Sequence, residues 1–195
     1  MDYAKYFAVV LIQLAGYAGF YLGGNYVWLG VATFPIMAIL DSVLPMDLSP
    51  RKMNSQFLAN IPVWLCTVMG PGLYLAMAWY VGQHEVTTVQ MVGIILSLGW
   101  LSVEPLVPAS HELYHQRGAL ARFVGRYSQV CYLDSTRDIG HVVGHHINVS
   151  TVKDSDTAPR GISLYRFAPI AVWKTTLDCQ LTECEALERR GYGRW

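Results

Sequence analysis

The sequence predicts an all-α integral membrane protein: four transmembrane helices in two hairpins, followed by cytoplasmic helices that carry clustered histidines. Three observations predict this. Of 195 residues, 53% are hydrophobic and only 14% charged, a balance wrong for disorder and unusual for a small soluble domain. The charge is also unevenly spread, because only Lys5, Arg51 and Lys52 of the 14 basic residues precede residue 109. Finally, five of the six histidines (His111, His115, His141, His145 and His146) crowd into two short runs, HELYH and GHVVGHH.

The elements follow in order. Residues 6–22 carry no charge, and Gly23, Gly24 and Asn25 punctuate them as a tight turn would. A second apolar run covers residues 26–40 and ends near Asp41 and Pro45. The third, residues 57–80, is interrupted by Gly70-Pro71-Gly72, which predicts a kink. The fourth, residues 89–107, is apolar apart from Gln90, Ser97, Ser102 and Glu104. A bilayer-spanning helix needs about 20 apolar residues, so four spans fit, the first two being the shortest. Large soluble helices would show a polar stripe, and these runs have none. A cleaved signal peptide is not expected, because no small-residue cleavage site follows the first run.

The orientation has its own signal. If the N-terminus is cytoplasmic, the inside segments hold Lys5, Arg51, Lys52 and everything after residue 109. The outside turns, residues 23–25 and 81–88, hold no lysine or arginine, as the positive-inside rule requires. This divides the chain into a transmembrane part, residues 1–108, and a cytoplasmic histidine-box part, residues 109–195. A net charge of zero gives no reason to expect nucleic acid. Cys66, Cys131, Cys179 and Cys184 form no CxxC pair and read as free thiols.

Beyond residue 109 the pattern changes. Residues 119–130 place Leu120, Phe123, Val124 and Tyr127 on one helical face, with Arg122 and Arg126 offset. Such a helix lies along a membrane surface or buries its apolar face in the protein; the sequence leaves both open. Residues 175–190 form a polar helix candidate.

His111 and His115 stand four residues apart, so a helix carries them on one face. His141 and His145 repeat the spacing, and His146 would project about 100° further round an α-helix. Facing helices would converge five ring nitrogens on a small volume, a metal site whose ligand type alone does not choose among Zn, Cu, Fe and Ni. HELYH also matches the HExxH pattern of zinc proteases, with Glu112 as general base. Against that reading, two clusters supply more ligands than one zinc with an open position uses. Glu112, Asp134 and Asp138 are candidates to orient the ligands by hydrogen bonding, although loop capping is the better account of the two aspartates. His84 reads as a polar capping residue, Glu104 as a functional or snorkelling acid, and Asp154 with Arg160 as an ion pair holding the following loop. Trp64, Trp79 and Trp100 read as lipid or interface packing.

HELYH, GHVVGHH and the tail HINVSTVKDSDTAPRG together resemble the membrane-bound non-haem di-iron alkane hydroxylases, in particular the xylene monooxygenase branch of the fatty acid desaturase/hydroxylase superfamily. The resemblance implies that His111, His115, His141, His145 and His146 are iron ligands at the cytoplasmic ends of membrane helices in a bacterial inner membrane. It implies insertion of one oxygen atom from O2 into a terminal or benzylic C–H bond of a hydrophobic substrate that arrives from membrane lipid. Electrons would come from a rubredoxin- or ferredoxin-type donor or its reductase. Acyl-lipid desaturases and sterol-type hydroxylases share such boxes and are the related alternative; a zinc membrane protease and a non-catalytic membrane remnant are alternatives of other classes. Two positions depart from the family pattern: Gly140 stands where glutamate is common, and Ser155 where proline is frequent. The family also carries further histidine motifs downstream, so the resemblance implies one incomplete catalytic domain. These 195 residues alone are then expected to bind iron weakly and not to turn over.

Overall fold

A computed structural model describes residues 2–193. The chain forms two compact units, Met1–Leu133 and Asp134–Trp195. The described residues contain helices and turns and no strand.

In the first unit, α1 (Tyr3–Tyr6) runs almost directly into α2 (Ala8–Leu22). The chain then turns at Gly23 and Gly24, whose φ angles of 68° and 55° lie in the left-handed region that glycine adopts without steric cost. A 3-10 segment, Gly24–Trp28, leads into α3 (Leu29–Val43). Two long helices follow, α4 (Gln56–Gln83) and α5 (Thr88–Leu101). Ser55 caps α4 by accepting the Leu58 N–H, and Thr87 and Gln90 form a capping box on α5. Such caps satisfy N–H groups that the first helical turn leaves orphaned.

Four helical stretches are long and apolar enough to cross a membrane: Tyr3–Leu22, Gly24–Val43, Gln56–Gln83 and Thr88–His115. The two runs that read as shortest reach 20 residues each because α1 and the 3-10 segment extend them. The third is continuous through Pro62 and Pro71. The fourth is the informative one. It passes from α5 through a π-helical turn, Ser102–Leu106, into α6 (Val107–His115), so the first histidine box rides on the end of a membrane span. Its 28 residues measure about 42 Å at 1.5 Å per residue, against roughly 30 Å of hydrocarbon. The surplus carries the box beyond the apolar slab.

Side chains on the outside of this unit are apolar. Leu11, Phe34, Ile39, Val68, Leu75 and Ile95 are all exposed. In water such a surface would be an aggregation liability; in lipid it is the expected exterior, and the protein is an integral membrane protein. Polar groups turn inward and pair with backbone: Gln13 Nε2 donates to Cys66 O at 3.1 Å, and Tyr17 Oη to Met69 O at 2.6 Å. Trp100 is tied into the protein rather than left to lipid, because its Nε1 donates to Thr33 Oγ1 at 2.8 Å and its ring meets Phe34 edge-on.

Ser97 shows how closely α3 and α5 are joined. It is 1% exposed, its Oγ donates to Val27 O at 2.8 Å, and it accepts the Val31 N–H at 3.0 Å. Ser97→Ala strands both backbone groups out of reach of water, at a cost of about 1–3 kcal/mol. The expected result is a lower unfolding temperature in detergent for Ser97→Ala than for an exposed control such as Ser42→Ala.

The two ends of the bundle differ. At one, Asp2 accepts the Lys52 N–H at 3.0 Å, Tyr3 Oη accepts the Asn54 and Ser55 N–H groups, and Asp47 pairs with Lys5 at 2.6 Å and Arg51 at 2.7 Å. Hydrogen bonds from Lys5, Ser49 and Arg51 hold the Asp47 carboxyl far below the usual carboxylate range. Gln116, just past the first box, donates to Asn60 at this same end. At the other end Tyr80 Oη accepts the Gly24 N–H at 2.9 Å, and His84 caps α4, stacking on Tyr80 and bonding its carbonyl at 3.0 Å. Lys5, Arg51, Lys52 and the first box therefore share one end.

After α6 the chain reverses into α7 (Ala119–Ser128), then a 3-10 turn, Gln129–Tyr132. Only small residues of α7 are buried: Ala121, Gly125 and Ser128. A Cβ on Gly125 would lie 2.9 Å from Ser110 O and 3.0 Å from Tyr114 N, so this glycine lets α7 rest directly on the backbone of α6. Leu120, Phe123 and Tyr127 are exposed, which excludes burial of the apolar face within the unit.

In the second unit a π-helical segment, Ile139–His145, passes into α8 (His146–Asn148). A loop then leads to α9 (Leu164–Arg189), capped by Ser163. The helix anticipated over residues 175–190 thus begins eleven residues earlier. α9 packs on the π segment: Gly140 meets Thr175 and Cys179, Thr175 Oγ1 bonds Ser155 Oγ at 2.9 Å, and Cys179 Sγ donates to Thr136 O. All four cysteines are free thiols.

Candidate metal centre

The first box owes its placement to two prolines. Pro105 and Pro108 cannot donate N–H groups to the carbonyls one turn back, and the helix widens into a π turn at Ser102–Leu106 before regular winding resumes. On α6, His111 and His115 face one way. Their Nε2 atoms are 3.2 Å apart and their rings lie edge to face at 4.6 Å. Tyr114 packs edge-on against His111 at 5.3 Å.

The second box is wound differently from the α-helix its spacing predicts. In the π segment, hydrogen bonds of the i→i+5 type bring residues five apart over one another. His141 and His146, which an α-helix would hold about 140° apart, therefore meet with Nε2 atoms 2.9 Å apart and ring centroids 4.5 Å apart. His145 lies alongside, 5.2 Å from His141 between ring centroids.

These separations test whether the residues suit a metal. Imidazole nitrogens bind zinc and similar ions at roughly 2.0–2.1 Å. Two nitrogens on one ion then lie about 3.0 Å apart at a right angle and about 3.4 Å apart at the tetrahedral angle. The observed 2.9 and 3.2 Å are the spacings of two adjacent ligands. Each box alone can thus present a ligand pair, and the histidines could hold a metal ion.

His145 has a further support that sequence reasoning missed. Its Nδ1 lies 3.0 Å from both carboxylate oxygens of Asp154. A ring that donates Nδ1–H to a carboxylate is fixed in orientation and presents Nε2 as its basic nitrogen. Asp154 is itself locked: it is 4% exposed and accepts from Ser150 N–H, Asp156 N–H and Thr157 Oγ1. Burial pushes its carboxyl up, but the bonds from Thr157, His145 and Asp156 outweigh this and bring it to about 2. The sequence had paired Asp154 with Arg160; its described partners are instead His145 and the loop it closes. The available signal was the T-x2-D run beginning five residues after the second box.

The other candidates fall as follows. Asp134 is taken up by Arg137 at 2.6 Å, and Arg137 also reaches Asp156 at 3.4 Å. Asp138 is buried at the start of the π segment. Glu112 lines a cavity of about 420 Å3 together with Tyr6, Met53, Asn60, Val63 and Pro108. Glu104 stands exposed in the π turn.

Fold and boxes together define a class: a membrane-embedded helical protein with imidazole clusters at the ends of its helices. Sequence comparison gives its relatives. The chain is 40% identical over 198 residues to the xylene/toluene monooxygenase hydroxylase component XylM of Pseudomonas putida, a match covering 100% of this chain and 53% of that protein. It is 31% identical over 183 residues to alkane 1-monooxygenase 2 of Pseudomonas aeruginosa (84% of this chain, 46% of that one). With an alkane 1-monooxygenase of Pseudomonas putida it shares 25% identity over 175 residues. No family model matches. The chain is similar over its whole length to a xylene/toluene monooxygenase hydroxylase component and over most of it to alkane 1-monooxygenases, and it spans about half the length of the curated relatives it matches.

Proposed function

We propose that the chain is part of the hydroxylase component of a membrane di-iron monooxygenase, one that inserts an oxygen atom from O2 into a terminal or benzylic C–H bond of an alkane or alkyl-aromatic substrate. The observation that carries this is the pair of imidazole couples, His111 with His115 and His141 with His146, at the spacing of adjacent metal ligands. His145, oriented by Asp154, supplies a fifth ligand. Bound iron supplies the one-electron chemistry that O2 reduction needs and that zinc lacks. The chain's own residues hold and orient that ion: Asp154 fixes the His145 tautomer, and the π winding sets the His141–His146 couple. Electrons would come from a rubredoxin- or ferredoxin-type donor, and the basic end carrying Lys5, Arg51 and Lys52 faces the cytoplasm of a bacterial inner membrane, as the charge asymmetry implies.

The test is oxygen transfer in membranes that contain the whole hydroxylase component of which this chain is part, supplied with NADH-coupled reductase, a methylbenzene and 18O2. The expected product is a benzylic alcohol carrying one 18O. Glu112→Gln separates this reading from a zinc protease. Loss of the general base would silence a protease, whereas the hydroxylase keeps both its metal content and 18O incorporation within about twofold, since Glu112 lines a cavity whose walls include no histidine. Label arriving from H218O instead of 18O2 would overturn the oxygenase assignment.

A further inference from the structure

We propose that α7 and the turn after it form a re-entrant arm that dips into the bilayer leaflet on the histidine-box side, placing Val130 and Leu133 against lipid acyl chains. The inference is independent of the catalytic reading. It begins with register. α7 runs antiparallel to α6, with Gly125 seated opposite Ser110 and Tyr114. Continuing downward, Tyr132 Oη meets Ser110 Oγ at 2.9 Å. Tyr74 Oη, from the middle of α4, donates to Cys131 O and lies 2.8 Å from Ser102 Oγ. The end of the arm therefore stands level with Ser102, not with the box.

Depth follows from the fourth span. Ser102 is 14 residues beyond Thr88, about 21 Å along the helix at 1.5 Å per residue. That is well within a hydrocarbon core of roughly 30 Å. His111, 23 residues along, lies about 34 Å out and clears it. The composition of the arm follows the same gradient. Arg122 and Arg126 occupy its shallow part, Tyr127 stands at the boundary, and Val130 and Leu133 form its deep part, where they are 57% and 95% exposed. Charge returns only at Asp134. Irregular backbone at membrane depth must have its polar groups met by protein, and Tyr74 meets the Cys131 carbonyl in this way. The occupant is lipid because the exposed side chains continue the apolar exterior of the spans at the depth where acyl chains lie, with arginines at headgroup level.

The experiment places p-benzoylphenylalanine at Arg122, Val130 or Leu133 in the full chain, reconstituted in phosphatidylethanolamine/phosphatidylglycerol vesicles and irradiated. At 130 and 133 the expected result is a mass gain of one phospholipid, with fragmentation locating the new bond on an acyl chain. At 122 the adduct falls on glycerol or headgroup. Headgroup-only adducts at 130 and 133 would mean a helix lying flat and would overturn the proposal. So would absence of lipid adduct at 130 and 133, which means water, or a protein–protein crosslink there, which means another segment covers the arm. Should one of the two deep variants not be recovered, the other carries the same outcomes.

Discussion

Replacing His141 with alanine is expected to lower iron affinity more than any change to an outer residue, because it removes one member of the 2.9 Å nitrogen couple with His146. His146→Ala should do the same, since the π winding makes the two equivalent. Asp154→Asn sets the comparison. It keeps the shape of the side chain but loses the charge that orients His145, and the loss of such a support costs roughly 10–100-fold in metal affinity. The ordering is thus His141→Ala and His146→Ala worst, Asp154→Asn intermediate and Glu112→Gln near wild type. Equilibrium dialysis against Fe(II), with metal counted by mass spectrometry, reads it directly. Wild-type affinity in His141→Ala would remove the second box from the ligand set. The pH behaviour has a definite sign. The Asp154 carboxyl is lowered to about 2 from the ordinary value near 3.9, so its contribution to stability is fully present above that ordinary value. It fades only as pH falls through about 2.

The membrane architecture was legible because it rests on properties that sequence carries locally. Runs of apolar residues have no other home, and the basic residues Lys5, Arg51 and Lys52 marked one end before any contact was known. The boxes were equally legible as clusters, but their winding was not. Spacing of four and five residues predicts a helical face with His146 swung aside, and only the π segment brings His146 onto His141. Nothing in the residue pattern GHVVGHH distinguishes the two windings, because the choice depends on what the segment packs against. Asp154 was missed for a related reason: its role depends on a loop closing through Ser150, Asp156 and Thr157, contacts that periodicity does not encode. The apolar face of α7 was visible, yet whether it lay flat or buried was open until Gly125 set the helix antiparallel on α6. Gly140 and Ser155, read as departures from the family pattern, turn out to share a neighbour, Thr175.

That shared neighbour yields the second large expected effect. Elsewhere in a helix, glycine to alanine is stabilising by about 0.8–1.0 kcal/mol through propensity alone. At Gly140 the new Cβ would sit 2.6 Å from the Thr175 methyl and 3.0 Å from Cys179 Sγ, and overpacking of that kind costs about 1–3 kcal/mol. Gly140→Ala is therefore expected to destabilise the second unit, and Gly140→Glu more severely, since a carboxylate would enter the same contact. Thr175→Ser removes the offending methyl but keeps the hydroxyl that bonds Ser155 at 2.9 Å, so it should rescue Gly140→Ala while doing little by itself. Because Gly140 directly precedes His141, displacement of α9 should also loosen the His141–His146 couple. Thermal unfolding and iron affinity should then fall together in Gly140→Ala and recover together in the double variant. A coupling energy near zero between positions 140 and 175 would mean that α9 does not seat on the π segment as observed. A fall in stability with unchanged iron affinity would mean instead that the helix braces the unit without setting the geometry of its ligands.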